Sequence, residues 1–151
     1  MALLQAPPIA DIQHIIQLAV APVFLLSAVG VTLTLFTNRL ARIVDRARAL
    51  ENALNGHPEP KEVHEQLKVL ARRASLINIA ISLGIISGIM VTGTVVLLFT
   101  NALLALRLDV VIAVVFAASM LALAAALLQF LREVRYATAH LRIGSFQVGR
   151  V

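Results

Sequence analysis

Residues 76–106 read LINIAISLGIISGIMVTGTVVLLFTNALLAL, a run of 31 positions without Asp, Glu, Lys, Arg or His. As a helix rising about 1.5 Å per residue this run measures about 46 Å, more than the ~30 Å hydrocarbon layer of a bilayer, so it must tilt or project into an interface. Two further uncharged runs flank it. Residues 15–37 make a helix of about 35 Å and residues 110–131 one of about 33 Å, each long enough to span. Between the second and third runs stands only Arg107-Leu108-Asp109. That is enough for a tight turn in which Asp109 caps the third helix.

The composition agrees. Of the 151 residues 60% are apolar and 14% charged, against roughly 45–50% and 25% in a soluble protein. Charges cluster between positions 38 and 75 and after position 131. The chain is therefore expected to be all-α, a three-transmembrane-helix bundle with a cytoplasmic antiparallel helical hairpin extending the first and second helices. Residues 1–151 form one membrane domain: an outer leader (1–11), a first span (12–37), the hairpin (38–75), a second span (76–106), a third span (110–131) and a cytoplasmic tail (132–151). Residues 1–14 carry no Lys or Arg and include Pro7, Pro8 and Asp11, unlike a signal peptide, so the first span is expected to stay in the mature protein. Asp11 is a candidate cap for the first helix. Pro22 removes one backbone hydrogen bond within the first span and predicts a mild bend, with a gating hinge as the alternative.

Orientation follows from the Lys and Arg count. Eight of the 13 lie between Asn38 and Ser75, four follow Leu131, one is in the short turn and none is in the leader. Twelve on one side of three spans make that side cytoplasmic, with the amino terminus outside and the carboxyl terminus inside. The same placement explains the formal charge of +5 without invoking nucleic acid.

The charged stretch carries its own helical pattern. Leu40, Ile43, Ala47, Leu50 and Leu54 follow steps of three and four, as do Val63, Leu67, Leu70, Ala74 and Ile77, so each arm of the hairpin has an apolar seam. Between them Gly56 can end one helix and Pro60 can open the next. Within the Arg-rich exit of the first span, Asp45 stands three residues from Arg42 and from Arg48, at a spacing suited to intrahelical pairing. Arg39 and Arg42, nearest the membrane, are candidates for anionic lipid headgroups.

No catalytic centre is read from the sequence. With no cysteine, thiol chemistry and cysteine-type zinc sites are excluded. His14, His57, His64 and His140 lack metal-ligand spacing, and no nucleophile elbow or phosphate-cradling glycine loop is present. Neither catalytic residue, cofactor nor metal is assigned, and a non-enzymatic role is expected. Proton-coupled transport is disfavoured because residues 15–37, 76–106 and 110–131 hold no Asp, Glu, Lys, Arg or His.

The spans instead carry rows of small and hydroxyl residues. Ala80, Gly84, Gly88 and Thr92 recur every four positions, and Ser27, Gly30, Thr34 and Thr37 share a face of the first helix. Such rows let helices approach closely in lipid. They serve packing within one subunit, contact between subunits, or a pore lining in which Asn78 and Asn101 mark the two mouths. The alanine-rich third span offers smooth sides for self-association or, equally, for filling space around the other two helices. Two readings of function result: a self-associating scaffold or accessory subunit with an unidentified membrane-protein partner, or a small homo-oligomeric ion channel with a Ser/Thr/Asn-lined pore.

The stretches Ala21-Pro22-Val23-Phe24-Leu25-Leu26 and Thr37-Asn38-Arg39-Leu40-Ala41-Arg42-Ile43-Val44-Asp45-Arg46-Ala47-Arg48 resemble the signature of a group of small bacterial membrane proteins catalogued as a domain of unknown function. The resemblance covers roughly residues 9–141, and its most specific part is 38–48. It implies a three-span protein of the bacterial inner membrane and transfers no catalytic or binding residue.

Overall fold

A computed structural model describes residues 9–54, 61–104 and 107–141. Among these the chain forms three helices: α1 (Ile9–Leu54), α2 (Lys61–Leu104) and α3 (Asp109–Leu141). The expected hairpin turn with Gly56 and Pro60, the leader's first eight residues and the tail beyond Leu141 lie outside the described residues.

All three helices are long and apolar enough to cross a membrane. Helices of 46, 44 and 33 residues measure about 69, 66 and 50 Å, so each outruns the hydrocarbon layer. Only 17%, 22% and 17% of their most apolar stretches is buried inside the protein. Phe24, Val31, Leu103, Val110 and Leu121 are each more than two-thirds exposed. An aqueous surface does not tolerate so much contiguous large apolar area. The chain is a multi-pass integral membrane protein.

Each helix turns one stripe inward, and the stripes follow a heptad step. On α1 the buried residues are Ala19, Pro22, Val29, Phe36 and Ile43; on α3 they are Ile112, Ser119, Ala126 and Glu133, with Ala137. On α2 Leu70, Ile77, Ala80, Gly84, Ser87, Val91 and Thr94 are buried. A step of seven residues returns to nearly the same side of a helix with 3.6 residues per turn, so one narrow seam is covered and the rest is left outward.

The chain divides into two compact units, to which every helix contributes. The first comprises residues 9–33 and 83–124. There the α1 helix runs unbroken through a buried Pro22. Ser87 Oγ donates a 2.8 Å hydrogen bond to the backbone carbonyl of Ser119, both side chains being fully buried. Ser119 Oγ is occupied by the carbonyl of Phe116 on its own helix.

At the short α2–α3 connection, Asn101 Oδ1 accepts from the Leu108 amide at 3.0 Å and Asn101 Nδ2 donates to Asp109 Oδ1 at 3.1 Å. The first α3 bond runs from the Ile112 amide to the Leu108 carbonyl. Asp109 therefore lies in the first turn, one residue inside the expected cap, where its charge still opposes the helix dipole. Likewise α1 begins at Ile9, which puts Asp11 within the helix and not at its cap. Asn101→Ala removes both side-chain bonds of the turn and is expected to cost about 1–2 kcal/mol. Thermal unfolding in detergent micelles measures it, and an unchanged midpoint would deny Asn101 this role.

The second unit comprises residues 34–82 and 125–141. Its apolar core holds Phe36, Ile43, Leu70, Ile77, Ala80 and Ala126. Phe36 and Phe130 pack with ring centroids 4.8 Å apart and planes tilted by 30°.

Candidate functional site

Beside that aromatic pair the second unit buries a carboxylate. Glu133 occupies the α3 heptad position that Ala126 and Ser119 hold further up the helix, and its side chain has no exposed surface. Arg73 stands on the α2 seam, three residues from Leu70 and four from Ile77. Its Nε and Nη2 both donate to Glu133 Oε1, at 3.0 and 2.8 Å. From α1, Arg39 Nε lies 3.1 Å from Oε2. That N–H is not aligned with the oxygen, so the contact is Coulombic and Oε2 has no hydrogen-bond partner among the described residues. The Arg39 guanidinium also sits 5.7 Å from the centre of the Phe130 ring, within cation–π range.

One carboxylate thus holds two guanidiniums from two other helices. A buried carboxylate without a counter-charge would be strongly unfavourable, and here the pairing offsets the cost. The arginines are not sealed off. Their side chains are 36% and 23% exposed, and Arg39 Nη1 and Nη2 make no hydrogen bond among the described residues. Next to this cluster Arg72 lies over Tyr136 at 5.8 Å and Arg132 Nη1 donates to Gln129 at 3.1 Å.

Two open grooves run between α1 and α2, one in each unit. In the second unit a groove of about 500 Å³ has an apolar floor that includes Ile43, Ala47, Leu67 and Leu70, with Arg48, Glu51, His64 and Lys68 at its rim. In the first unit a groove of about 490 Å³ is lined by Leu26, Val29, Gly30, Leu33, Ile85, Gly88, Ile89 and Thr92.

The small-residue rows divide between these surroundings. Ala80 and Gly84 are buried, Gly88 is half-buried and Thr92 is exposed. A Cβ at Gly84 would meet Leu33 Cδ2 at 2.8 Å and one at Gly88 would meet Val29 at 3.4 Å, whereas at Gly30 nothing lies within 4 Å. Ser27, Thr34 and Asn78 are exposed and Asn101 is half-buried. The hydroxyls of Ser27, Ser82, Thr92 and Thr100 each donate to the carbonyl four residues earlier, which satisfies the donor on its own helix. No ion pair joins Asp45 to Arg42 or Arg48 among the described residues.

Sequence reasoning missed Glu133 and the role of Arg73. The available signal was spacing, since Ile112, Ser119, Ala126 and Glu133 stand seven apart. Among the described residues no group of His, Asp and Glu is arranged to hold a metal ion.

A family described as proteins of unknown function, DUF2721, matches residues 19–143. The chain belongs to that family. The matched segment contains all three members of the Arg39–Arg73–Glu133 cluster and the linings of both grooves. No curated protein and no solved structure matches the chain.

Proposed function

We propose that the protein is a non-enzymatic, self-associating scaffold or accessory subunit of the bacterial inner membrane. The amino terminus is outside, and the hairpin and carboxyl terminus are cytoplasmic. The orientation rests on the asymmetry of Lys and Arg.

The observation that carries self-association is the open first-unit groove, where a Cβ added at Gly30 would meet nothing within 4 Å while one at Gly84 on α2 would meet Leu33 at 2.8 Å. A second copy can bring its helix backbone close at such a position, and close packing is what associates helices in lipid. The hairpin groove suits the same occupant. Its rim bears both charge signs, with Glu51 beside Arg48 and Lys68, which a twofold-related hairpin can match.

Because the natural chain has no cysteine, single-cysteine variants carry no background. Gly30→Cys is expected to give an oxidation-dependent dimer in native membranes, and Phe24→Cys, which is 73% exposed, a weaker one. Monomer alone from Gly30→Cys would remove the support for self-association. Arg48→Cys is expected to resist a membrane-impermeant maleimide in intact cells and to react after lysis. Labelling before lysis would reverse the orientation.

The channel reading draws on the exposure of Ser27, Thr34, Asn78 and Thr92 in the apolar spans. Intrahelical bonding of the Ser27 and Thr92 hydroxyls lowers the cost of turning them to lipid, so a pore is not required to explain them. Ion flux through liposomes that falls on Thr92→Leu or Asn78→Leu would favour the channel over the scaffold.

A further inference from the structure

Every charge within three residues of Arg39, Arg73 or Glu133 along its own helix belongs to one set: Arg39, Arg42, Arg72, Arg73, Arg132, Glu133 and Arg135. Three residues of helix rise only about 4.5 Å, so these groups form a narrow belt. Six arginines and one glutamate account for the whole formal charge of +5; the other seven basic and seven acidic residues cancel. The belt begins where the apolar runs end, at Thr37, Leu76 and Leu131. Charges that adjoin the ends of membrane-spanning apolar runs fall at the level of the lipid headgroups.

We infer that this belt is a binding site for the phosphate of an anionic phospholipid, organised by Glu133. The carboxylate does not neutralise the belt. It accepts two hydrogen bonds from Arg73 on α2, draws the Arg39 guanidinium on α1 to 3.1 Å by charge, and leaves Arg39 Nη1 and Nη2 unbonded among the described residues. A planar guanidinium held in place presents its remaining N–H groups to a phosphate with little further loss of side-chain freedom. Arg42, Arg72, Arg132 and Arg135 are exposed around this centre and add the field that distinguishes a net-negative lipid from a zwitterionic one. The site does not depend on the scaffold reading, since a monomer contains all of it.

Glu133 acts here as a positioning residue, and that makes the site separable from a diffuse positive patch. The test uses the full chain in nanodiscs of phosphatidylcholine with or without phosphatidylglycerol, with lipid retention read by native mass spectrometry. The wild-type chain is expected to retain phosphatidylglycerol in preference to phosphatidylcholine. Arg39→Gln is expected to weaken that preference by at least about five-fold, the size of one basic residue at an anionic surface, and Arg42→Gln by less. Glu133→Gln adds a net positive charge, so a diffuse patch would bind phosphatidylglycerol more tightly. The organised site predicts weaker binding.

Absence of a preference in the wild-type chain would overturn the inference, as would tighter binding by Glu133→Gln. Should Glu133→Gln fail to fold, Arg39→Gln against Arg42→Gln still decides: equal losses mean a diffuse patch and overturn the organised site. Inorganic phosphate added to the lipid-free protein in detergent is expected to leave its melting midpoint unchanged. Stabilisation equal to that by phosphatidylglycerol would assign the site to free phosphate.

Discussion

Replacing Glu133 by Leu is expected to destabilise the protein by about 2–3 kcal/mol, the largest loss of any single polar substitution considered. Removing one partner from a fully buried ion pair costs about 3–5 kcal/mol. The arginines here are 36% and 23% exposed, so they regain water when the carboxylate is lost, and the figure is discounted accordingly. Leucine fills the volume but leaves Arg39 and Arg73 facing one another without a counter-charge. The coupling is testable by a double-mutant cycle. Arg73→Leu on the Glu133→Leu background is expected to cost at least ~1 kcal/mol less than Arg73→Leu alone, because the two bonds it breaks are already gone. Denaturant titration in bicelles measures both. A Glu133→Leu effect within about 0.5 kcal/mol of zero, the range of an ordinary surface substitution, would mean that the cluster does not hold the helices together.

The spans, their number and their helical nature were legible because hydrocarbon imposes a coarse requirement of length and apolarity that residues 15–37, 76–106 and 110–131 meet openly. Burial was harder to read, and α2 explains why. Ala80, Gly84, Gly88 and Thr92 look like one face because they recur every four positions. Each step of four advances about 400°, however, so the row drifts by roughly 40° per step and leaves the buried side within three steps. The structure buries Ala80 and Gly84 and exposes Thr92. Steps alternating between three and four keep to one side instead, through Leu70, Arg73, Ile77, Ala80, Gly84, Ser87, Val91 and Thr94. The hairpin seam read from sequence includes Leu70 and Ile77, which are buried, and Ala74, which is half-buried and lines the groove; it leaves out Arg73, which is half-buried beside them.

Apolarity alone could not have selected Arg73, since a seam is sought among apolar residues and this position is charged. Glu133 was hidden for the same reason, two residues beyond the third apolar run. Its partners lie on two other helices, Arg73 being 60 positions away in sequence. Only packing brings the three together. The carboxylate lets α3 continue its heptad stripe beyond the oil, because a charged residue is tolerated at an inward position when counter-charges from α1 and α2 meet it there.

Glycine substitutions then separate packing within a subunit from packing between subunits, and the contrast is expected to be large. At Gly84 an added Cβ meets Leu33 Cδ2 at 2.8 Å. That atom is the end of a flexible side chain, so Gly84→Ala is expected to cost no more than about 1 kcal/mol, while Gly84→Leu forces α1 and α2 apart at an expected cost of about 2–3 kcal/mol. Gly30 reverses the pattern. Its Cβ direction is empty within 4 Å, so Gly30→Leu is expected to leave the unfolding midpoint of the monomer within error and to gain slightly from better helix propensity. The same leucine would occupy the 490 Å³ groove and block close approach by a second copy. Gly30→Leu is therefore expected to remove the crosslinked dimer formed by a reporter cysteine elsewhere on the same face, with stability unchanged. If Gly84→Leu and Gly30→Leu were equally destabilising, the α1–α2 packing described above would be wrong. If Gly30→Leu left association intact, another face of the protein would have to carry it.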